Sequence, residues 1–256
     1  MSKLNSFDWN QTKSFSILQL ILVFALPSLL SYIGFHIILP LLIKNDLPIL
    51  ISWASIASVM LLFLVILALI FLKREAKQLN ISLASRMCLK RLSLKEWLTS
   101  LAIIILGLFI ASMATNLIGP FMQITGLEVP QYMPFFLDPS QSNTSTNFPY
   151  KGQYIVLVLM GITLILNIFA EELYFRSWIL PKLSQYGKMS WVINGTMFAL
   201  YHTFQFWLFP TILVGSLLWA FIIFHTKSIF PALVGHFVGN FLFSMVMLSM
   251  LVFGIN

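Results

Sequence analysis

Charge is scarce in this 256-residue chain: Asp, Glu, Lys and Arg together make up 9% of it, against about 25% in an ordinary soluble domain. With 59% hydrophobic residues and a mean hydropathy of +0.92, that shortage excludes a soluble globular protein. Cysteine is almost absent. Cys88 is the single one, so no internal disulfide can form. It lies in a basic loop with no histidine near it in sequence, where a plain loop residue is expected rather than a nucleophile. There is no H-E-x-x-H zinc motif, no Gly-rich phosphate loop, no Ser–His–Asp set, no myristoylation motif and no prenylation box.

What is present is a series of apolar runs, several reaching the ~20 residues that cross a bilayer. The first, over 17–43, exceeds the ~7–15-residue core of a signal peptide and lacks a small-x-small cleavage site, so it reads as a retained span. The pattern predicts an all-α, polytopic integral membrane bundle of about seven transmembrane helices, at 16–43, 48–72, 97–118, 154–176, 190–208, 211–225 and 229–253. Residues 1–150 hold the first three, with a basic loop at 73–96 and an outer loop at 119–153. Residues 151–256 hold the other four and are the expected catalytic core. No internal repeat is evident.

The net charge of +7 could point to nucleic acid, but its distribution argues against that. The basic residues sit in short loops beside spans, and no folded domain is left to present a nucleic-acid surface. Lys73, Arg74, Lys77, Arg86, Lys90, Arg91 and Lys95 fall in one loop, which the positive-inside rule places in the cytoplasm. Alternation then puts the N-terminus inside, with Lys3 and Lys13, and adds Arg176, Lys182, Lys188 and Lys227 to that side. Only Lys44 and Lys151 fall outside. The outer loop carries an Asn143-Thr144-Ser145 sequon.

Two of the eight acidic residues stand apart. In "NIFAEELYFRSWIL" (167–180), Glu171 and Glu172 are adjacent inside an apolar span, with Arg176 following. An ionisable residue at membrane depth calls for a partner, a job, or both. On an α-helix Glu172 and Arg176 are i, i+4 and can pair on one face. Glu171 is rotated ~100° away and is free to act as a general base. His36, in "YIGFHIILP", reads as a packed or interfacial histidine, and His225 as a solvated span end. His202 follows Phe198 by four residues, and Asn240 follows His236 by four. Gly235 and Gly239 flank His236 in a small-xxx-small pattern that lets helices approach closely. His202 meets Glu171 and His236 at one depth only if the fifth span tilts or breaks near Gly195.

A carboxylate, two imidazoles and an amide form a hydrolase kit. The carboxylate can deprotonate water, an imidazole can protonate a leaving amine, and an imidazole with an asparagine amide can donate to an oxyanion. Glu171, His202 and His236 are also donors that zinc accepts.

Three pieces thus stand in order: E-E-x-x-x-R at Glu171–Arg176, F-x-x-x-H at Phe198–His202 and H-x-x-x-N at His236–Asn240. The set resembles the CPBP intramembrane proteases, also called the Abi or CAAX-protease-like family, over about residues 150 to 245. The resemblance implies an α-helical membrane endopeptidase. It implies Glu171 activating water with His202 assisting, His236 and Asn240 at the oxyanion, and Glu172, Arg176 and Phe198 in support. Family members are described both as metalloproteases and as glutamate-dependent enzymes. We expect the glutamate mechanism, with zinc as the alternative cofactor. The resemblance further implies a bacterial cytoplasmic membrane and a membrane-associated peptide or protein substrate, cut near the cytoplasmic face. Two other readings stay open on the residues alone. One is a non-catalytic scaffold or bacteriocin self-immunity protein. The other is a proton-coupled transporter, although no repeated halves support it.

Overall fold

The computed structural model of the protein describes residues 7–139 and 150–254. Lys3 and the Asn143 sequon lie outside them. Among the described residues six helical runs are long and apolar enough to cross a membrane: α1 (Ile17–Lys44), α2 (Ile49–Gln78), α3 (Leu94–Thr125), α4 (Tyr154–Tyr201), α5 (Thr203–Thr226) and α6 (Phe230–Phe253). Helices satisfy every backbone group internally, which a lipid-facing segment requires. Capping boxes start α1 (Ser16 with Gln19) and α3 (Ser93 with Glu96), covering amides that each first turn leaves open.

The integral membrane bundle expected from composition is the observed architecture, with one difference in how its legs are joined. The fourth and fifth expected spans form one helical run of 48 residues. It begins as an α-helix over Tyr154–Glu171, widens to a π-helix over Glu172–Ile179, tightens to a 3₁₀-helix over Leu180–Met189 and resumes as an α-helix over Ser190–Tyr201. A straight helix would hold Glu171 and His202 ~46 Å apart at 1.5 Å per residue. They face each other at 3.6 Å. The chain folds back at Gly187, whose φ of 54° and ψ of −128° lie outside the helical region and are open to glycine without a Cβ penalty. Counted by legs, the bundle has the seven expected.

This turn also resolves the depth problem. The first leg does not stop at residue 176 but runs on to the turn, so Glu171 and His202 lie nearly the same number of residues from Gly187. No break at Gly195 is needed. Gly195 instead permits a close helix contact, since a Cβ there would sit 2.9 Å from Leu217 Cα.

The basic loops gather on one face. The N-terminal segment binds the turn of α4 through Thr12 Oγ1 to Pro181 O (3.2 Å), Lys182 Nζ to Lys13 O (3.1 Å) and Gln185 Nε2 to Phe15 O (3.1 Å). The loop after α2 joins them. Arg86 is fully buried and donates to Ser177 O (2.6 Å) and Trp178 O (3.2 Å), while ion-pairing with Glu75 (2.6 Å). Glu75 also pairs with Lys182 (2.8 Å). Cys88 is buried in this loop, and its carbonyl accepts from Ile229 N (3.0 Å). Exposed His225 ends α5 on this face, as read from the sequence. On the opposite face, His36 Nδ1 contacts Tyr132 Oη (2.9 Å), Trp207 Nε1 donates to Leu137 O (2.7 Å), and Gly152 N donates to Val252 O (2.9 Å).

Candidate active site

Glu171 ends the first leg of α4, at the point where the α-helix gives way to the π-helix. π-Helical segments are rare and recur at functional sites. The residue is buried, with 4% of its surface exposed. Its Oε1 accepts from Asn167 Nδ2, one turn earlier, at 2.8 Å. Two imidazoles face it: His202 Nε2 stands 3.6 Å from Oε1, and His236 Nε2 stands 3.6 Å from Oε2. These separations are too long for direct hydrogen bonds.

Each ring is held through its other nitrogen. His202 Nδ1 lies 2.9 Å from Phe198 O. A carbonyl only accepts, so Nδ1 carries the proton, and the neutral ring presents a bare Nε2 to Glu171. His236 Nδ1 lies 3.0 Å from Glu172 Oε1 and is fixed in the same sense. The local sequence explains both placements. The α-helix ends at His202, where ψ rises to 44°, so the ring folds back onto the carbonyl four residues earlier. Gly235 brings α6 against α5, since a Cβ there would meet the Trp219 ring at 2.4 Å. Trp219 in turn stacks on His236, with centroids 6.3 Å apart. Of the two glycines flanking His236, only Gly235 makes this close contact; a Cβ at Gly239 would find ordinary van der Waals spacing.

Glu172 and Arg176 do not form the ion pair that α-helical spacing predicts. The segment between them is π-helical, and each turns to another partner. Glu172 goes to His236. The buried Arg176 guanidinium lies over the Phe198 ring at 4.1 Å, with Nη2 3.4 Å from Ser216 O. Phe198 thus supports the site twice, through its carbonyl and its ring.

Asn240 reaches the same place from α6. Its Nδ2 donates to Asn167 Oδ1 at 3.4 Å. Asn167 was not singled out from the sequence, although an amide four residues before Glu171 in an apolar span was a usable signal. Asn194 was also missed. Its Nδ2 donates to Phe175 O at 2.9 Å, a carbonyl within the π-helix.

The donor types suit zinc, and a second partner on each Nδ1 is what metal-bound histidines have. Yet among the described residues no three His, Cys, Asp or Glu side chains are arranged to hold an ion. No step below is routed through a metal.

A cavity of about 390 Å³ begins at Glu171, His202, His236 and Asn240. It extends along α2 and α5 to Trp53, Phe136 and Gln205. Its walls come from both halves of the chain, including Ser31 of α1 and Leu108 of α3. The 151–256 segment therefore does not enclose the site alone.

Residues 153–242 match the family model described as Type II CAAX prenyl endopeptidase Rce1-like. The chain carries an Rce1-like domain. That domain spans all three motifs, from Glu171 to Asn240, and agrees with the CAAX-protease resemblance drawn from them. No curated protein and no solved structure matches the chain. The Rce1-like domain supports a membrane protease.

Proposed function

We propose that the protein is an intramembrane endopeptidase that hydrolyses a peptide bond of a membrane-associated peptide or protein with water activated by Glu171. One observation carries this reading. Three proton acceptors, the Glu171 carboxylate and the two bare Nε2 atoms, converge from two helices on a space bordering the cavity. A water there would donate to Glu171 and to an imidazole at once.

Glu171 takes a proton from that water, and the hydroxide adds to the scissile carbonyl carbon. Asn240 Nδ2 donates to the developing oxyanion. His236 joins it once protonated at Nε2, a state that the Glu172 carboxylate on Nδ1 stabilises in the manner of the triad aspartate. The C–N bond then breaks. The leaving nitrogen takes the proton, relayed by His202, and the other product is a carboxylate. Asn167 positions both Glu171 and Asn240.

The test is Glu171→Gln, which keeps size and hydrogen bonding but removes the base. Wild type and variant, purified into lipid, are compared on membrane peptides and on membrane proteomes. Loss of every wild-type cleavage, with the variant still folded, supports the reading. Equal cleavage by the two overturns it. On the glutamate mechanism, wild-type cleavage persists in a chelator.

A further inference from the structure

We propose that the polypeptide to be cut reaches Glu171 from the face opposite the basic loops, which is the outer face by the positive-inside rule. The scissile bond then lies on that side, with an apolar side chain beside it filling the cavity. This inference rests on the protease reading and departs from the cytoplasmic cut expected from the sequence.

The packing below Glu171 is the first ground. Every residue from 170 to 183 is buried. Tyr174, Phe175, Trp178, Ile179, Leu180 and Leu183 are each 4% exposed or less and fill the bundle between Glu171 and the turn at Gly187. The N-terminal segment and the loop carrying Arg86 close over this plug through the hydrogen bonds and ion pairs described above. An extended peptide entering from the basic face would have to displace all of it.

The other direction is open. The cavity leads from Glu171 away from the plug, past Thr211 near the start of α5 and Trp53 near the start of α2. It ends at Phe136 and Gln205, on the face where His36 meets Tyr132. Phe136 is 37% exposed there, and Thr211 Oγ1 has no hydrogen-bond partner. The residues along the path are mostly aromatic or aliphatic. This suits an apolar substrate side chain and gives little support to a charged one.

Sidedness can be read without a known substrate. In a Cys88→Ala background, single cysteines are placed at Gln78 (exposed, basic face), Gln131 (exposed, opposite face), Gln205 and Thr211. A membrane-impermeant maleimide is applied to vesicles of each orientation. Gln205→Cys and Thr211→Cys are expected to label from the side that labels Gln131→Cys, at least tenfold faster than from the side that labels Gln78→Cys. Labelling from the Gln78 side, or from neither side while both sites react in detergent, overturns the inference. The two readings fail separately. If Glu171→Gln abolishes cleavage but labelling falls on the basic face, access is wrong and the protease stands. If labelling is as expected but Glu171→Gln cuts like wild type, the reverse holds.

Discussion

The two adjacent glutamates differ in geometry, and the difference has kinetic consequences. Glu172 is 1% exposed and offers Oε1 to His236 Nδ1 at 3.0 Å. Replacing it with leucine keeps the bulk and removes that acceptor. A hydrogen bond to a charged group contributes about 1.5–3 kcal/mol. If it acts by holding the ring's tautomer and stabilising its protonated form, its loss lowers kcat by roughly 10- to 150-fold at 1.36 kcal/mol per factor of ten. KM should barely move, because Glu172 faces His236 rather than the cavity. Glu171→Gln removes the general base itself, a loss of about 10²–10⁴-fold, and should be the more damaging of the two. The assay is the rate of cutting of whichever substrate the wild type cleaves, per unit of folded protein, with thermal unfolding in detergent as the fold control. The reasoning is refuted if Glu172→Leu leaves kcat unchanged, or if it costs more than Glu171→Gln.

Three other outcomes follow from the same coordinates. Asn167→Leu, which removes the 2.8 Å bond to Glu171 and the 3.4 Å contact with Asn240, should lower kcat by roughly 10- to 100-fold, and an unchanged rate would remove Asn167 from the site. Gly195→Ala would place a Cβ 2.9 Å from Leu217 Cα and 3.0 Å from Leu217 N; the resulting overpacking should cost about 1–3 kcal/mol, seen as a lower unfolding temperature. The Cys88 thiol is pushed up to about 11 by burial, an effect only partly offset by nearby Arg86; it should therefore resist alkylation at pH 8 in the native protein and react fully once unfolded, whereas rapid native labelling would contradict its buried placement.

The residues of the site were legible because their chemistry is out of place. Glu171, Glu172, Arg176, His202, His236 and Asn240 are polar groups in apolar runs, and such groups need a reason to be there. Their partners were less legible. The Glu172–Arg176 pairing assumed α-helical spacing, and nothing in "ELYFRSWI" signals that the backbone there is π-helical. Arg86 counted only as one of seven loop charges, yet it is fully buried beneath the turn of α4. A tertiary contact of that kind leaves no periodic trace. The fold-back at Gly187 was read as a loop between two spans. Its consequence, that equal legs bring Glu171 and His202 to one depth, required knowing that the helix continues past Arg176.

The π-helix ties the site to the basic face. Its wider turn leaves carbonyls without their usual helical donors, and side chains from elsewhere supply them. Asn194 donates to Phe175 O, and Arg86 to Ser177 O and Trp178 O. Formal charge divides the same way. Toward the basic face, Arg86 and Lys182 surround Glu75, an excess of one positive charge. Toward the cavity, Glu171 and Glu172 outnumber Arg176, an excess of one negative charge. An unbalanced charge is costly in a low-dielectric interior. Only the two imidazoles facing Glu171 and Glu172 can balance this one in place, by holding one further proton between them. A hydrolase must take a proton from water and return it to a leaving amine. A cluster that gains neutrality with that proton is built to keep it close, between Glu171 and the Nε2 atoms of His202 and His236, from one step to the next.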